Sequence, residues 1–184
     1  MCRALAAGTV HTMRTVPGDL WQLAAADATA WLVVPTNGCV KPGGALVMGA
    51  GVAAGAAVRW PHLPAVLGAA VTANGNIPAA DETSRVLTWP TKPDRHVLDG
   101  REHPGWMCAA RIRRPECVRG VARLVWSNAP RLVALADMLA LSGPIYCPPP
   151  GCGLGGLNWA DVGPHLAGVL DDRFVIVLRE QVRP

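Results

Sequence analysis

Two stretches of this chain carry residue types suited to holding an anionic ligand. "CPPPGCGLGGLNWADV", Cys147 to Val162, runs three prolines into a glycine-dense loop and then into an amphipathic segment. "VMGAGVAAG", Val47 to Gly55, sets Gly49 and Gly51 ahead of another. Prolines 148–150 fix the chain as it leaves a strand, and glycines 151, 153, 155 and 156 remove the Cβ atoms that would keep a ligand off the backbone. The N–H groups of such a loop, with the start of the next helix, form a cradle for a phosphate or pyrophosphate. No lysine or arginine lies in the second loop, so an anion there is held by backbone dipoles. Two loops of this kind fit a ligand with two phosphates gripped from both sides. The competing reading is that the glycines only let helices pack tightly on a sheet.

Standard nucleotide signatures fail. Gly49 to Ala54 matches the dinucleotide pattern literally, but the ribose-binding acid expected about 20 residues on is missing. The first acid is Asp81. A Walker loop needs Gly-Lys-Ser/Thr, which the chain lacks.

The elements that position these loops alternate in type. Residues 3–16 read as one or two strands ending at "PGDL", Pro17 to Leu20. "AWLVVP", Ala30 to Pro35, is a short apolar run bounded by turn residues, which predicts a buried strand. Helical spacing covers Gly51 to Trp60, and Leu63 to an Asn-Gly stop at Gly75. Ser84 to Pro90 reads as a strand. Lys92 to about Arg114 is polar and aperiodic, a loop long enough to be functional or inserted. A helix is predicted over Ser127 to Gly143, with Ser127 or Asn128 capping and Pro130 in its first turn. "PIYCP" is a strand, Trp159 to Leu170 a helix and Arg173 to Leu178 a closing strand. Such alternation argues for a layered α/β domain with a mostly parallel or mixed sheet.

Composition sets the bounds. With 184 residues, 51% of them apolar, one domain can bury a substantial core. The net charge of +4 tolerates a polyanionic partner without demanding one. Lys41 and Lys92 are the only lysines among 17 basic residues. No signal-peptide pattern opens the chain, and the longest uncharged apolar stretch, Gly43 to Val58, is too short and glycine-rich to span a membrane. A cytoplasmic location is expected. The six cysteines then read as reduced.

On these residues the chain resembles the macrodomain family, whose members bind ADP-ribose and often remove it from modified molecules. "PGDL" at 17–20 resembles the family's early Gly-Asp motif, and "LVVPTNG" at 32–38 the strand that ends in an Asn beside the distal ribose. "VMGAGVA" at 47–53 resembles the first phosphate loop and "PPGCGLGGLNWADV" at 149–162 the second, in the family's order. The combination is most similar to the branch holding terminal ADP-ribose glycohydrolases and antitoxins that strip ADP-ribose from DNA thymidine. The resemblance implies a three-layer α/β/α macrodomain with a mixed, mostly parallel central sheet. It implies one domain over residues 1–184, with an insertion or lid around 93–114.

Carried over by motif, Asp19 accepts a hydrogen bond from the adenine amino group; its alternative is to cap its own backbone. Asn37 orients the distal ribose or a water; its alternative is a turn residue. Met48, Gly49, Ala50, Gly51 and Val52 line the first loop. Pro150, Gly151, Cys152, Gly153, Leu154, Gly155, Gly156 and Leu157 line the second. "LTWPTK", Leu87 to Lys92, resembles the strand whose last residue is the branch's catalytic lysine, so Lys92 inherits that role, with Asn37 beside it. As a proton donor or a Schiff-base amine, Lys92 would act at C1″ of the distal ribose. Some members place a catalytic Asp in the second loop where this chain has Gly155, so no Lys–Asp pair is available.

The implied partners are ADP-ribose and ADP-ribosylated protein or DNA, with no cofactor, metal or membrane. Hydrolysis of the C1″ linkage to a protein carboxylate or a thymidine leads. A non-catalytic reader and an ADP-ribose 1″-phosphate phosphatase are the alternatives. Transient nucleic-acid contact would fall to Arg95, Arg101, Arg111, Arg113 and Arg114, whose competing role is a solvated face. His96, His103, Cys108 and Cys117 lack zinc spacing. Cys152 reads as a space-filler, Phe174 as core rather than an adenine stack (Leu178 being the other candidate), and no Ser/His/Asp motif stands out.

Overall fold

The computed structural model describes residues 12–98, 100–107 and 114–179. In chain order they form β1 (Arg14–Pro17), α1 (Leu20–Ala26), β2 (Trp31–Asn37), α2 (Gly51–Arg59), α3 (Leu63–Asn74), β3 (Ala80–Asp81) and β4 (Val86–Lys92). There follow β5 (Arg95–Leu98), β6 (Arg101–Pro104), a 3₁₀ turn (Gly105–Met107), α4 (Pro115–Met138), β7 (Ile145–Cys147), α5 (Trp159–Ala167) and β8 (Phe174–Leu178). Six strands make one sheet in the order β1-β8-β7-β2-β4-β3. All pair in parallel except the short edge strand β3.

Period-two alternation sorts each strand's side chains onto two faces. Val33, Leu87, Trp89, Ile145, Cys147, Phe174 and Ile176 pack under α4 and α5. Leu32, Val34, Val86 and Val177 turn the other way, onto α1, α2 and α3. Both faces being covered, the strands read as continuous apolar runs, as buried parallel strands do. The result is the expected α/β/α sandwich with its mixed, mostly parallel sheet. Phe174 is fully buried in the core, as expected.

Three elements depart from the sequence reading. Asp19 starts an unanticipated helix, α1, its Oδ1 accepting from the Trp21 and Gln22 N–H groups. The helix expected from Ser127 instead begins at Pro115, and Pro130 lies inside it. An interior proline costs about 3 kcal/mol, but Cys117, Val121, Val125, Ala129, Leu132 and Ala136 form one stripe buried on the sheet. That burial outweighs the local penalty. Asn128 is therefore a buried residue and not a cap: its Nδ2 donates to the Pro90 carbonyl at 3.1 Å. Finally, the aperiodic stretch after Lys92 holds an antiparallel hairpin, β5–β6, with Arg95 facing Pro104 and Leu98 facing Arg101. The strand reading of residues 3–11, and Cys2, Cys108, Arg111 and Arg113, lie outside the described residues.

At the sheet edge away from the loops, Arg173 ties β8 to the end of α4. It donates to Asp171, to Asp137 and to the Leu141 carbonyl. The Arg173 hydrogen bond outweighs burial and holds the Asp171 carboxyl below its usual range. That stabilisation is present above the unfolded value near pH 4 and is lost as pH falls through the lowered folded one. Arg173→Ala should cost about 1–3 kcal/mol at neutral pH by urea unfolding, and the gap to wild type should narrow below about pH 4.

Candidate active site

β2 and β4 end side by side, and their last residues face one cavity. The ladder runs Thr36↔Pro90 and then Asn37↔Lys92, skipping Thr91 through a bulge. Such a bulge re-aims the side chains around it. Pro35 and Pro90, which cannot donate to a ladder, sit beyond the short stretches that pair with β7 and β3. β2 and β4 stay paired to their ends while β7 and β3 leave them earlier, and ligands of open α/β sheets bind beyond such carboxyl ends.

The cavity is about 690 Å³ and lies between the two glycine loops, a size suited to a small-molecule ligand. Its lining includes Asn37, Gly49, Ala50, Gly51, Val52, Lys92, Gly151, Gly153, Leu154 and Gly155, all expected from sequence. It also includes Pro35, Thr36, Thr91, Pro148, Pro149 and Trp106, which were not. Asp19, Met48, Pro150, Cys152, Gly156 and Leu157 stand outside that lining. Of the two roles open to Asp19, the geometry displays the cap of α1.

The glycines divide into two kinds. A Cβ on Gly49, Gly51 or Gly153 would meet nothing within 4 Å. Packing does not require these three to be glycine, although Gly51, at φ +57°, is glycine for its backbone, and the room they leave belongs to the cavity. Gly151 and Gly155 are the opposite case. Gly151 has φ +75° and a Cβ there would press on Leu157 and Val121, while one on Gly155 would strike the Gly151 carbonyl oxygen. They let the second loop fold tightly, so both readings of the glycines hold, at different positions. No acid can stand at 155 without breaking this fold of the loop.

Donors for an anion are distributed unequally. α2 begins without a side-chain cap at Ala50, and its first residues, Gly51, Val52 and Ala53, whose N–H groups have no intrahelical acceptor, line the cavity at the positive end of the helix. α5 is capped by the Asn158 side chain, which accepts from Ala160. The second loop commits the Cys152, Gly156 and Leu157 N–H groups to its own carbonyls. Gly153, Leu154 and Gly155 are its cavity-facing members.

Asn37 does structural work as well. Its Oδ1 accepts from the Cys39 N–H at 2.8 Å and its Nδ2 donates to the Val47 carbonyl at 2.8 Å. This clasp closes the loop that delivers Val47–Gly51, and leaves one N–H of the amide for a ligand. The Lys92 carbonyl accepts from Asn76 Nδ2 at 2.8 Å, which holds the backbone from which the lysine projects into the site. Trp89 Nε1 donates to the Val125 carbonyl at 3.2 Å and fastens the same strand to α4.

No cysteine or histidine among the described residues lines the cavity. Among the described residues Cys39, Cys117, Cys147 and Cys152 are free thiols, and burial pushes Cys152 up to about 11. His62, Asp81 and Ser84 do cluster, at the other end of β4. Asp81 Oδ2 and Ser84 Oγ both contact the same nitrogen, Nε2, at 3.2 Å. A proton relay needs serine and aspartate on opposite ring nitrogens, so the cluster is structural.

A sheet of this order, with glycine loops at the carboxyl ends of its central strands, defines the macrodomain fold. Solved structures share it: the macrodomain of Mycobacterium tuberculosis DarG aligns with TM-score 0.60 at 21% identity, over 91% of this chain and 97% of that one. Thermosipho africanus DarTG in complex with ADP-ribose aligns with TM-score 0.57 at 18% identity, over 94% of this chain and 43% of its own longer chain. The macrodomain of Thermus aquaticus DarG gives 0.51 at 23% identity, over 92% and 98%. No protein-family model matches the chain, and no curated protein matches it in sequence.

The two kinds of glycine should separate in unfolding experiments. Gly155→Ala should lower stability by about 2 kcal/mol or more, as overpacking against backbone does, whereas Gly153→Ala should change it by less than about 0.5 kcal/mol. Cys152 should react with a small thiol reagent far more slowly at pH 8 than in denatured protein, because little of it is thiolate; equal rates would contradict its burial.

Proposed function

We propose that the cavity binds ADP-ribose and that the protein hydrolyses the bond joining C1″ of its distal ribose to an acceptor, a protein carboxylate or a thymidine. The observation that carries this reading is the register that seats Asn37 against Lys92 at the mouth of a cavity flanked by two glycine loops. The diphosphate lies between the uncapped start of α2 and Gly153–Gly155, and the open positions of Gly49, Gly51 and Gly153 accommodate it. The remaining amide N–H of Asn37 orients the distal ribose. The structural neighbour in complex with ADP-ribose supports this choice of ligand.

Lys92 supplies the chemistry. As an ammonium it donates a proton to the departing acceptor atom while water adds to C1″. As an amine it attacks the opened sugar, forms a Schiff base and is released by water. Either route yields free ADP-ribose and unmodified acceptor. Lys92→Ala should reduce ADP-ribose release by about 10²- to 10⁴-fold while leaving the Kd for ADP-ribose within a few-fold, measured by calorimetry. Unchanged release would remove Lys92 from the mechanism.

Gly155 favours a second reading. The loop excludes an acid there, so no carboxylate assists Lys92 from that position, and a binder without turnover would need none. Tight ADP-ribose binding with no release from either carboxylate- or thymidine-linked substrate would establish that reader role.

A further inference from the structure

Trp106 lies in the cavity although nothing in its own surroundings of sequence marks it. It is 38% exposed and forms part of the lining together with the exposed Leu154 of the second loop. A large indole left this open inside a cleft is apolar surface that a ligand would cover. Its position is set by the hairpin. The Gly105 N–H donates to the Asp94 carbonyl at 2.8 Å, and Gly105 is packed so closely on the Pro93 carbonyl that no Cβ fits. On the other side, a Cβ on Gly38 would meet the Asp94 N and the Asn76 side chain at 2.9 Å. The hairpin is therefore clamped onto the two residues that follow Lys92, and Trp106 is delivered to the lysine end of the cavity. A second, separate cavity of about 510 Å³ lies between Gly38–Val40 and the hairpin, with Arg95 and His103 beside Asp94 and Glu102. The Arg95–Glu102 pair is well exposed, so it is weak and can yield Arg95 to a phosphate.

Resting on the reading of Lys92 as the group acting at C1″, we propose that Trp106 is a specificity-determining wall of the acceptor subsite, stacking on a planar nucleobase of a single strand. A glutamate joined to C1″ is a neutral ester with no ring to stack, whereas every nucleobase offers a π-face to the indole. The hairpin then holds the strand as it leaves the site, and the second cavity lies along the same hairpin. A glutamate side chain gains nothing from such a wall.

The test compares two ligands by titration: free ADP-ribose and a single-stranded oligonucleotide carrying ADP-ribose on thymidine. Both are bound to Lys92→Ala protein, with Trp106 intact, as Trp106→Ala, or as Trp106→Phe. Stacking of one base on an aromatic ring corresponds to roughly 5- to 150-fold in affinity. Trp106→Ala should weaken the oligonucleotide by that factor and free ADP-ribose by less than about twofold, and Trp106→Phe should recover most of the loss. Equal weakening of both ligands, or of neither, overturns the proposal. Absence of ADP-ribose binding with Trp106 intact overturns the functional reading and this proposal together. Oligonucleotide preference without release by wild-type protein removes hydrolysis and leaves the stacking role standing.

Discussion

Everything in the site depends on parallel strands ending on one edge. Because β2, β4 and β7 run the same way, Asn37, Lys92 and Pro148 emerge together, and the helices or loops that follow each strand start from a common line. The helices on both faces keep the sheet buried, which leaves the carboxyl edge as the place where backbone donors and side chains converge. β2 and β4 stay paired as far as Asn37 and Lys92 at that edge, while β7 and β3 pair only with their earlier residues. The cavity is thus a consequence of topology, and the residues lining it refine a space the sheet already makes.

That space is built with little charge. Among the described lining residues Lys92 is the only lysine or arginine, and the diphosphate reading relies on helix and loop amides. Fixed amides require a fixed backbone, which explains how much of the surrounding bonding is devoted to the loops. The Asn37 clasp, the Asn76 bond to Lys92 and the internal bonds of the second loop all serve that purpose. Preorganised dipoles cost no reorganisation when a ligand arrives.

Much of this was legible in the chain, for local reasons. Glycine-rich loops after strand-like runs and the Asn-Gly stop of α3 are written in consecutive residues. Other features were not. Nothing local distinguishes Gly153, which opens onto the cavity, from Gly155, which is jammed against Gly151. Pro130 pointed to a helix start, yet the helix passes through it, since long-range burial of the Val125–Leu132 face outweighs a local rule. Asp19 fits an adenine contact or a cap equally well by residue type, and only the course of α1 displays the cap.

The sequence by itself determined the layered α/β class, the two-sided apolar strands and the presence of two glycine-rich loops, because periodicity and glycine spacing are properties of neighbouring residues. Tertiary structure alone decided that Asn37 faces Lys92, that the stretch after Lys92 folds back as a hairpin, and that Trp106 ends inside the cavity. Those juxtapositions join residues far apart in the chain. They arise from strand register and from close backbone contacts at Gly38 and Gly105, which no local pattern encodes.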